Sequence, residues 1–302
     1  MARIPFLKPA LSLSDQITLL KDRGMILPNE DRAKHYLRFI GYYRLSGYWF
    51  PFQYRDDSEL HDHFRPGTDF ETVLDRYVFD RQLRLIVMDA VERIEVAARA
   101  AISNRMSEAH GPHWYLDKKH FLSSFKHSDF VRRAKAEAGI EPFKAKKQTD
   151  FIKSYLEKYD TPPEPPSWMI FEVLPFGSIS MVFGNLNDDD KKAIAAEYSL
   201  PRARLQSWLH AASHLRNLCA HHSRVWNREF GVKPSVSKSE RGHVLQADRF
   251  YNHAVAMQTL LKIISGDTHW GKRLQNLIAT QPNIPLAHMG FPENWTEQQI
   301  WS

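Results

Sequence analysis

The sequence predicts an all-α protein, and three observations lead to this prediction. Apolar residues recur at helical spacing over most of the 302 residues, whereas alternating apolar and polar residues form no series of strands. The longest helical stretch runs from Thr68 to about Ser107 without glycine or proline. Residues that start helices stand before most of the other stretches. We therefore expect a helical bundle with additional N-terminal and C-terminal helices, folded as a single domain over residues 1–302.

The N-terminal segment, residues 10–60, is predicted to form short helices and an aromatic region. Ser14 and Asn29 are expected to cap two helices, which end near residues 24 and 40. From 41 to 54 the chain is dense in Tyr, Trp and Phe, which is typical of a packed core. Arg44 lies among these residues, and aromatic rings beside an Arg are also able to stack on unpaired nucleic-acid bases.

The segment 68–228 is predicted to form the main bundle. Thr68 and Glu71 have the spacing of a capping box at the start of the long helix. Six Arg residues between 76 and 105 alternate with acidic residues, and most are expected to pair with carboxylates three or four positions away. Further helices are predicted over 129–138, 146–159, from 167 with a break at 175–177, 188–198 and 201–228.

The C-terminal segment, residues 243–302, is predicted to add two helices and a tail. The helices cover about 243–265 and 268–280. The tail carries Phe291, Trp295 and Trp301, and we expect it to pack back onto the helices because its large aromatic side chains favour burial.

Composition and charge limit the classes of function. The net charge of +6 and the pI of about 9.2 favour a polyanionic partner. The single cysteine, Cys219, lies on the apolar side of its predicted helix and is expected to be buried. The start of the chain lacks the apolar run of a signal peptide, and no segment has the roughly 18 apolar residues that cross a bilayer, so we expect a cytoplasmic protein without membrane contact. Gly-rich phosphate loops and the G-x-S-x-G pattern are absent from the sequence, which argues against nucleotide-driven and acyl-transfer chemistry.

The residues from Ser213 to Arg228 are the most informative of the chain. They combine Arg, Asn and two adjacent His in what is predicted to be one helix; Arg is suited to binding phosphate, and His transfers protons near neutral pH. One face of this helix is a polar stripe without carboxylates, which indicates a site for an anionic ligand. The alternative is a solvated helix face, which has the same periodicity. Arg216 lies about 140° from His221 on an ideal helix and is therefore outside the stripe. The stripe consists of His210, His214, Asn217, His221, Arg224 and Arg228.

The run Arg216-Asn217-x-x-x-His221 resembles the R-x4–6-H motif of HEPN-type ribonucleases. The longer run from Leu215 to Asn227 is similar to the Abi (AbiD/AbiF-like) abortive-infection proteins of bacteria. Residues 11–24, 35–37 and 41–52 resemble the N-terminal signature of the same family. The likeness runs from about Pro9 to about Trp226, which is most of the chain.

The resemblance implies a HEPN-like helical protein that cleaves RNA without a metal ion or other cofactor, as a homodimer whose two motifs form one site. It also implies a role in phage defence, or in a toxin–antitoxin pair that includes a small regulatory RNA. The motif assigns Arg216, Asn217 and His221 as catalytic residues. The family extension and the neighbouring charges add these candidate RNA-binding residues: His222, Arg224, His214, Arg228, Arg44, Lys146 and Lys147.

Two further features have more than one interpretation. The Lys and Arg residues between 126 and 153, Lys146 and Lys147 among them, form either a solvated face or a contact with a phosphate backbone. His210 and His214 have the i, i+4 spacing of a zinc pair, but no nearby carboxylate completes a site. We expect no metal there, nor at the loop pair formed by residues 61 and 63.

RNA carries its own nucleophile, the 2′-OH. A metal-free ribonuclease therefore needs a proton acceptor, a proton donor and positive charge at the phosphorus. We expect His221 to transfer protons and Arg216 to stabilise the developing charge, while Asn217 orients either the imidazole or the guanidinium. Because the 2′-OH is the nucleophile, the products end in a 2′,3′-cyclic phosphate. Two alternatives stay open: a non-catalytic RNA-binding protein that is regulated by or assembled with a small structured RNA, and a protein-interaction partner with no RNA role.

Overall fold

The structure, a computed structural model, describes residue 5 and residues 9–56, 59–140, 147–238 and 242–301. These residues form twelve α-helices and six short 3-10 helices, with isolated bridges but no β-strand, so the predicted all-α class is confirmed. The α-helices are α1 (Leu13–Asp22), α2 (Glu30–Ile40), α3 (Tyr42–Trp49), α4 (Phe70–His110), α5 (His127–Glu137), α6 (Asp150–Lys158), α7 (Ser167–Val173), α8 (Phe176–Asn185), α9 (Asp188–Glu197), α10 (Arg202–Ala220), α11 (Phe250–Ser265) and α12 (Trp270–Ala279). The 3-10 helices are Phe50–Phe52, Trp114–Leu116, Lys118–His120, Leu286–Met289, Trp295–Glu297 and Gln299–Trp301.

The chain divides into two compact units. The first comprises the described residues of Met1–Leu83 together with Leu277–Ile284, and the second those of Arg84–Asn276 together with Pro285–Ser302. The chain passes from the first unit to the second inside α4. The single domain over residues 1–302 stays a prediction, since two compact units are compatible with one domain.

Side-chain caps set the beginnings of the first helices. Asn29 caps α2 as predicted, because its Oδ1 accepts a hydrogen bond from the N–H of Arg32 at 2.9 Å. The prediction of Ser14 as the cap of α1 is wrong. Ser12 occupies that position, and it forms a capping box with Asp15 in which each side chain accepts from the backbone N–H of the other residue.

The beginning of α4 also differs from the prediction. The capping box of Thr68 and Glu71 is wrong, because Asp69 is the residue that accepts from the N–H of Thr72, at 2.7 Å. Glu71 instead forms an ion pair with Arg32 at 3.0 Å. An Asp at this position satisfies one of the free N–H groups of the first helical turn and favours the helix dipole.

The aromatic segment of the first unit has a buried face and an exposed face. Tyr48 and Trp49 on α3 are buried, and the Tyr48 hydroxyl donates to Asp80 at 2.6 Å. Tyr43 is 92% exposed, and Arg44 beside it is also exposed. The predicted packed core is therefore confirmed for one face of α3 only.

α11 lies at the centre of the second unit, where nearly every residue from Phe250 to Leu261 is buried. The C-terminal tail packs onto this helix. Trp301 donates from Nε1 to the hydroxyl of Tyr251 at 3.1 Å, and Phe291 and Trp295 are buried as well. The predicted packing of the tail is confirmed.

Several helix ends lie away from their predicted positions. The helix predicted over 146–159 begins at Asp150, the one predicted over 243–265 begins at Phe250, and the one predicted over 201–228 ends at Ala220. None of the helices in the described part of the chain combines the length and the apolar content that a membrane span requires.

Candidate active site

α10 carries the first part of the motif and is buried along one face. It packs against α8, α9 and α11. Most of its apolar residues are buried, including Cys219 as predicted. Trp208 fixes the helix further, since its Nε1 donates to the carbonyl of Ser235 at 3.0 Å. The opposite face carries His210 and Asn217, which are exposed, so the helix presents polar groups on a well-anchored backbone.

α10 ends at Ala220, and this overturns the last part of the predicted helix. His221 is the C-cap, and His222 follows in the left-handed conformation with φ of 55°. The N–H of His222 donates to the carbonyl of Cys219 at 3.0 Å and the N–H of Ser223 to that of Leu218 at 2.8 Å, which is a Schellman motif. Because this motif satisfies the last carbonyls and turns the chain away, His221 and the two Arg residues that follow do not continue the helical stripe.

The turn after α10 displays two adjacent imidazoles. His221 and His222 are exposed, and within the described residues the ring of His221 has no hydrogen bond, ion pair or ring contact. Val225 and Trp226 follow immediately and are fully buried, so they anchor the turn. An exposed imidazole on an anchored turn is well placed to exchange protons with a ligand.

Arg216 points to α4 and is held by a carboxylate that sequence reasoning missed. Its Nε lies 3.9 Å from Oε2 of Glu95, and its Nη1 donates weakly to Oδ1 of Asn217 at 3.4 Å. Glu95 also pairs with Arg99 four positions later, which is one pair of the kind predicted for the Arg residues of this helix. In the sequence the pair with Arg99 already gives Glu95 a partner, so nothing there predicts that Glu95 also contacts Arg216 on α10.

The surroundings of Arg216 are acidic. Its side chain lines a groove with Met88, Asp89, Glu92 and Glu95 of α4. The side chain of Arg216 is 37% exposed, whereas that of Glu95 is 13% exposed. The guanidinium therefore lies near a largely buried carboxylate and remains partly exposed to solvent.

Three residues of the predicted stripe line one cleft between α8 and α10. His210, His214 and Asn217 meet Gly184 and Asn185 across a volume of about 740 Å³. Asn217 is thus the residue that links this cleft to the guanidinium of Arg216. The three stripe residues are brought together as predicted, whereas Arg216 lies on a different side of the helix.

The electrostatics of the cleft keep His214 neutral. Burial lowers the pKa of His214, and the neighbouring Arg228 and His210 lower it further. Arg228 in turn donates from Nη1 to the carbonyl of Arg224 at 3.3 Å. His214 is therefore suited to hydrogen bonding with a ligand at neutral pH, and the positive charge on this side comes from Arg228.

The remaining predicted RNA-binding residues lie elsewhere in the chain. Arg44 is exposed on α3 in the first unit, and Lys147 is exposed between α5 and α6 in the second. Lys146 lies outside the described residues. The roles predicted for these three residues, and for His222 and Arg224, stay predictions.

The fold and the site together define an all-α protein with a guanidinium, an amide and two exposed imidazoles at one helix end. Comparison with known proteins then assigns the family: the model of the Abi-like protein family matches residues 35–227, more than half of the chain, and this range includes the motif from Arg216 to His221. The chain belongs to the Abi-like protein family. The match begins at His35, so the resemblance of residues 11–24 lies outside it. No curated protein and no solved structure matches the chain.

A buried histidine on α11 makes the stability dependent on pH. Burial lowers the pKa of His253 on α11 to about 4, and its Nε2–H donates to the carbonyl of Val232 at 3.2 Å. About one pH unit above the unfolded pKa of 6.5 and higher, the ring is neutral in both states. Between about pH 6.5 and about 4 the unfolded chain binds a proton that the folded chain excludes, so the free energy of unfolding falls as the pH is lowered, by at most about 3 kcal/mol.

We expect His253→Gln to lose less stability than the wild type when the pH is lowered from about 7 to about 5, by up to about 2 kcal/mol. Urea unfolding at the two pH values measures this difference. His243→Gln, at an exposed position, is the control and should follow the wild type. Equal losses in all three proteins would show that His253 is not the titrating group.

Proposed function

We propose that this protein is a metal-independent endoribonuclease of the HEPN type, which acts as an abortive-infection effector in bacterial phage defence. The observation that carries the proposal is the exposed imidazole of His221, five residues after a guanidinium that Glu95 orients. Membership of the Abi-like family supports the role in abortive infection. The basic net charge of +6 favours an RNA substrate.

The chemistry follows from what the site offers. The ribose 2′-oxygen forms a bond to phosphorus while the bond from phosphorus to the 5′-oxygen breaks. A base takes the proton of the 2′-OH, and an acid gives a proton to the departing 5′-oxygen. His221 transfers these protons, Arg216 stabilises the charge on the phosphoryl oxygens, and Asn217 holds the guanidinium through its Oδ1.

A homodimer supplies the groups that one chain lacks. Acid and base act at opposite ends of the scissile phosphate, and one chain offers His221 as the free imidazole of the motif. Within that chain Arg216 faces α4, and His221 lies on the turn beyond α10. Two copies related by a two-fold axis bring two such imidazoles and two guanidinium groups to one phosphate.

The test is an RNA cleavage assay with labelled tRNA and a pool of structured RNA. We expect His221→Ala to cleave about 10²- to 10⁴-fold more slowly, because proton transfer is lost. Arg216→Ala should cleave about 10²- to 10³-fold more slowly, because the charge at phosphorus is no longer stabilised. Cleavage by the wild type should persist in EDTA.

The controls are His243→Ala and Arg38→Ala, which remove an exposed imidazole and an exposed guanidinium elsewhere. After exchange of subunits, an equimolar mixture of wild type and His221→Ala should retain less than half of the wild-type activity, since a mixed dimer holds one imidazole where the reaction uses two. Full cleavage by His221→Ala would refute the assignment. A shift of the RNA without shortening would instead identify a binding protein.

Glu95 is a positioning residue, and its effect on cleavage is measured separately from its effect on stability. Glu95→Gln weakens the contact that orients Arg216, so we expect cleavage to fall about ten- to hundredfold with RNA affinity unchanged. Arg99→Ala loses the same carboxylate partner and two bonds to the carbonyls of Phe171 and Leu174. It should lower the melting temperature more than Glu95→Gln and cleavage less. Losses of cleavage in proportion to the losses of stability would contradict the positioning role.

A further inference from the structure

Three metal-ligating side chains meet in the second unit, and none of them lies on α10. His110 is the last residue of α4, His120 ends the 3-10 helix Lys118–His120, and Asp190 lies in the first turn of α9. One potential ligand atom from each residue lies within 4.8 Å of the others. The two histidine pairs of the sequence, at 61 and 63 and at 210 and 214, are not part of this group.

The backbone around His120 fixes this meeting point. Asn187 donates from its N–H to the carbonyl of His120 at 3.0 Å and from Nδ2 to the carbonyl of Lys119 at 2.7 Å. The N–H of Leu122 donates to the carbonyl of Asn185 at 2.8 Å. The turn that carries His120 is therefore tied to the segment that leads directly into α9 and its Asp190.

The side chains leave a ligand position open. Nε2 of His110 lies 2.9 Å from Oδ1 of Asp190, and the ring of His120 packs on that of His110 with 4.1 Å between the centroids. Among the described residues the imidazole of His120 forms no hydrogen bond, although the residue is only 6% exposed. The nearby ammonium groups have acidic partners, since Lys119 pairs with Asp117 at 2.8 Å and Lys191 with Asp188 at 3.3 Å.

We propose that His110, His120 and Asp190 bind one divalent transition-metal ion, and Zn²⁺ is the ion that fits best. Two imidazoles and one carboxylate select zinc-like ions over Mg²⁺ and Ca²⁺, which prefer oxygen ligands. Metal–ligand bonds of about 2.1 Å place the ligand atoms of a tetrahedral site about 3.4 Å apart. The three ligand atoms lie within 4.8 Å of one another, so small side-chain rotations bring them to this spacing. A water molecule completes the coordination, since the side chain of His110 is 26% exposed.

The ion would join three segments that are distant in the sequence. It links the end of α4 to the Lys118–His120 turn and to α9, which leads through a short connection into α10. The site therefore stabilises the frame that carries the motif. It takes no part in the cleavage chemistry proposed above, and its test does not depend on that chemistry.

The experiment is a titration of tag-free full-length protein with Zn²⁺ by calorimetry, after dialysis against EDTA and removal of the chelator. We expect one ion per chain and a higher melting temperature in zinc. Asp190→Asn, which keeps the shape of the side chain, and His110→Gln should each bind zinc at least about 100-fold more weakly, since loss of a direct ligand exceeds the 10- to 100-fold effect of a supporting residue. His243→Gln, which is exposed elsewhere, should bind like the wild type.

A second readout uses Co²⁺ in place of Zn²⁺. The wild type should show the visible absorption of Co²⁺ with four or five ligands, and Asp190→Asn should lose it while its circular dichroism in the absence of metal stays that of the wild type. Failure of the wild type to bind either ion would overturn the proposal, as would binding that survives in both variants. RNA cleavage that persists in EDTA leaves it intact, because the ion supports the fold rather than the reaction.

Discussion

The site depends on one carboxylate, that of Glu95 in the middle of α4. It contacts Arg216 on α10 and pairs with Arg99, which donates to the carbonyls of Phe171 and Leu174 where α7 ends. The helix that follows, α8, forms the other wall of the cleft with α10. One largely buried carboxylate therefore lies between the guanidinium of Arg216 and Arg99, which contacts the chain that leads into α8.

The second constraint is the way in which α10 ends. A Schellman motif stops the helix directly before the two imidazoles, and the buried Trp226 holds the chain that leaves it. His222 occupies a left-handed position that glycine usually takes, at a cost of about 1 kcal/mol. The result is that His221 stands clear of the helix, with its ring free to meet a ligand, while Arg216 is held one turn earlier.

The sequence predicts the helical class better than it predicts where helices begin and end or which distant residues meet. Local signals were sufficient for α2 and for the burial of Cys219, because capping and helical spacing are local properties. The end of α10 was missed because no glycine or proline marks it. Glu95 was missed because its pair with Arg99 satisfied it locally, and His110 and Asp190 were missed because only the fold brings together residues so far apart in the chain.

The proposed metal ion and the proposed cleavage reaction lie in different parts of the second unit. The ion stabilises the helical frame, whereas protein side chains and the ribose 2′-oxygen carry out the cleavage. The most direct test of attack by the ribose 2′-oxygen replaces the ribose at a mapped cleavage site by 2′-deoxyribose and analyses all products by mass spectrometry. We expect no cleavage at the substituted position with unchanged binding, and fragments of the unmodified RNA that end in a 2′,3′-cyclic phosphate and a 5′-hydroxyl. Cleavage at the deoxy position, or fragments with a 5′-phosphate, would contradict it.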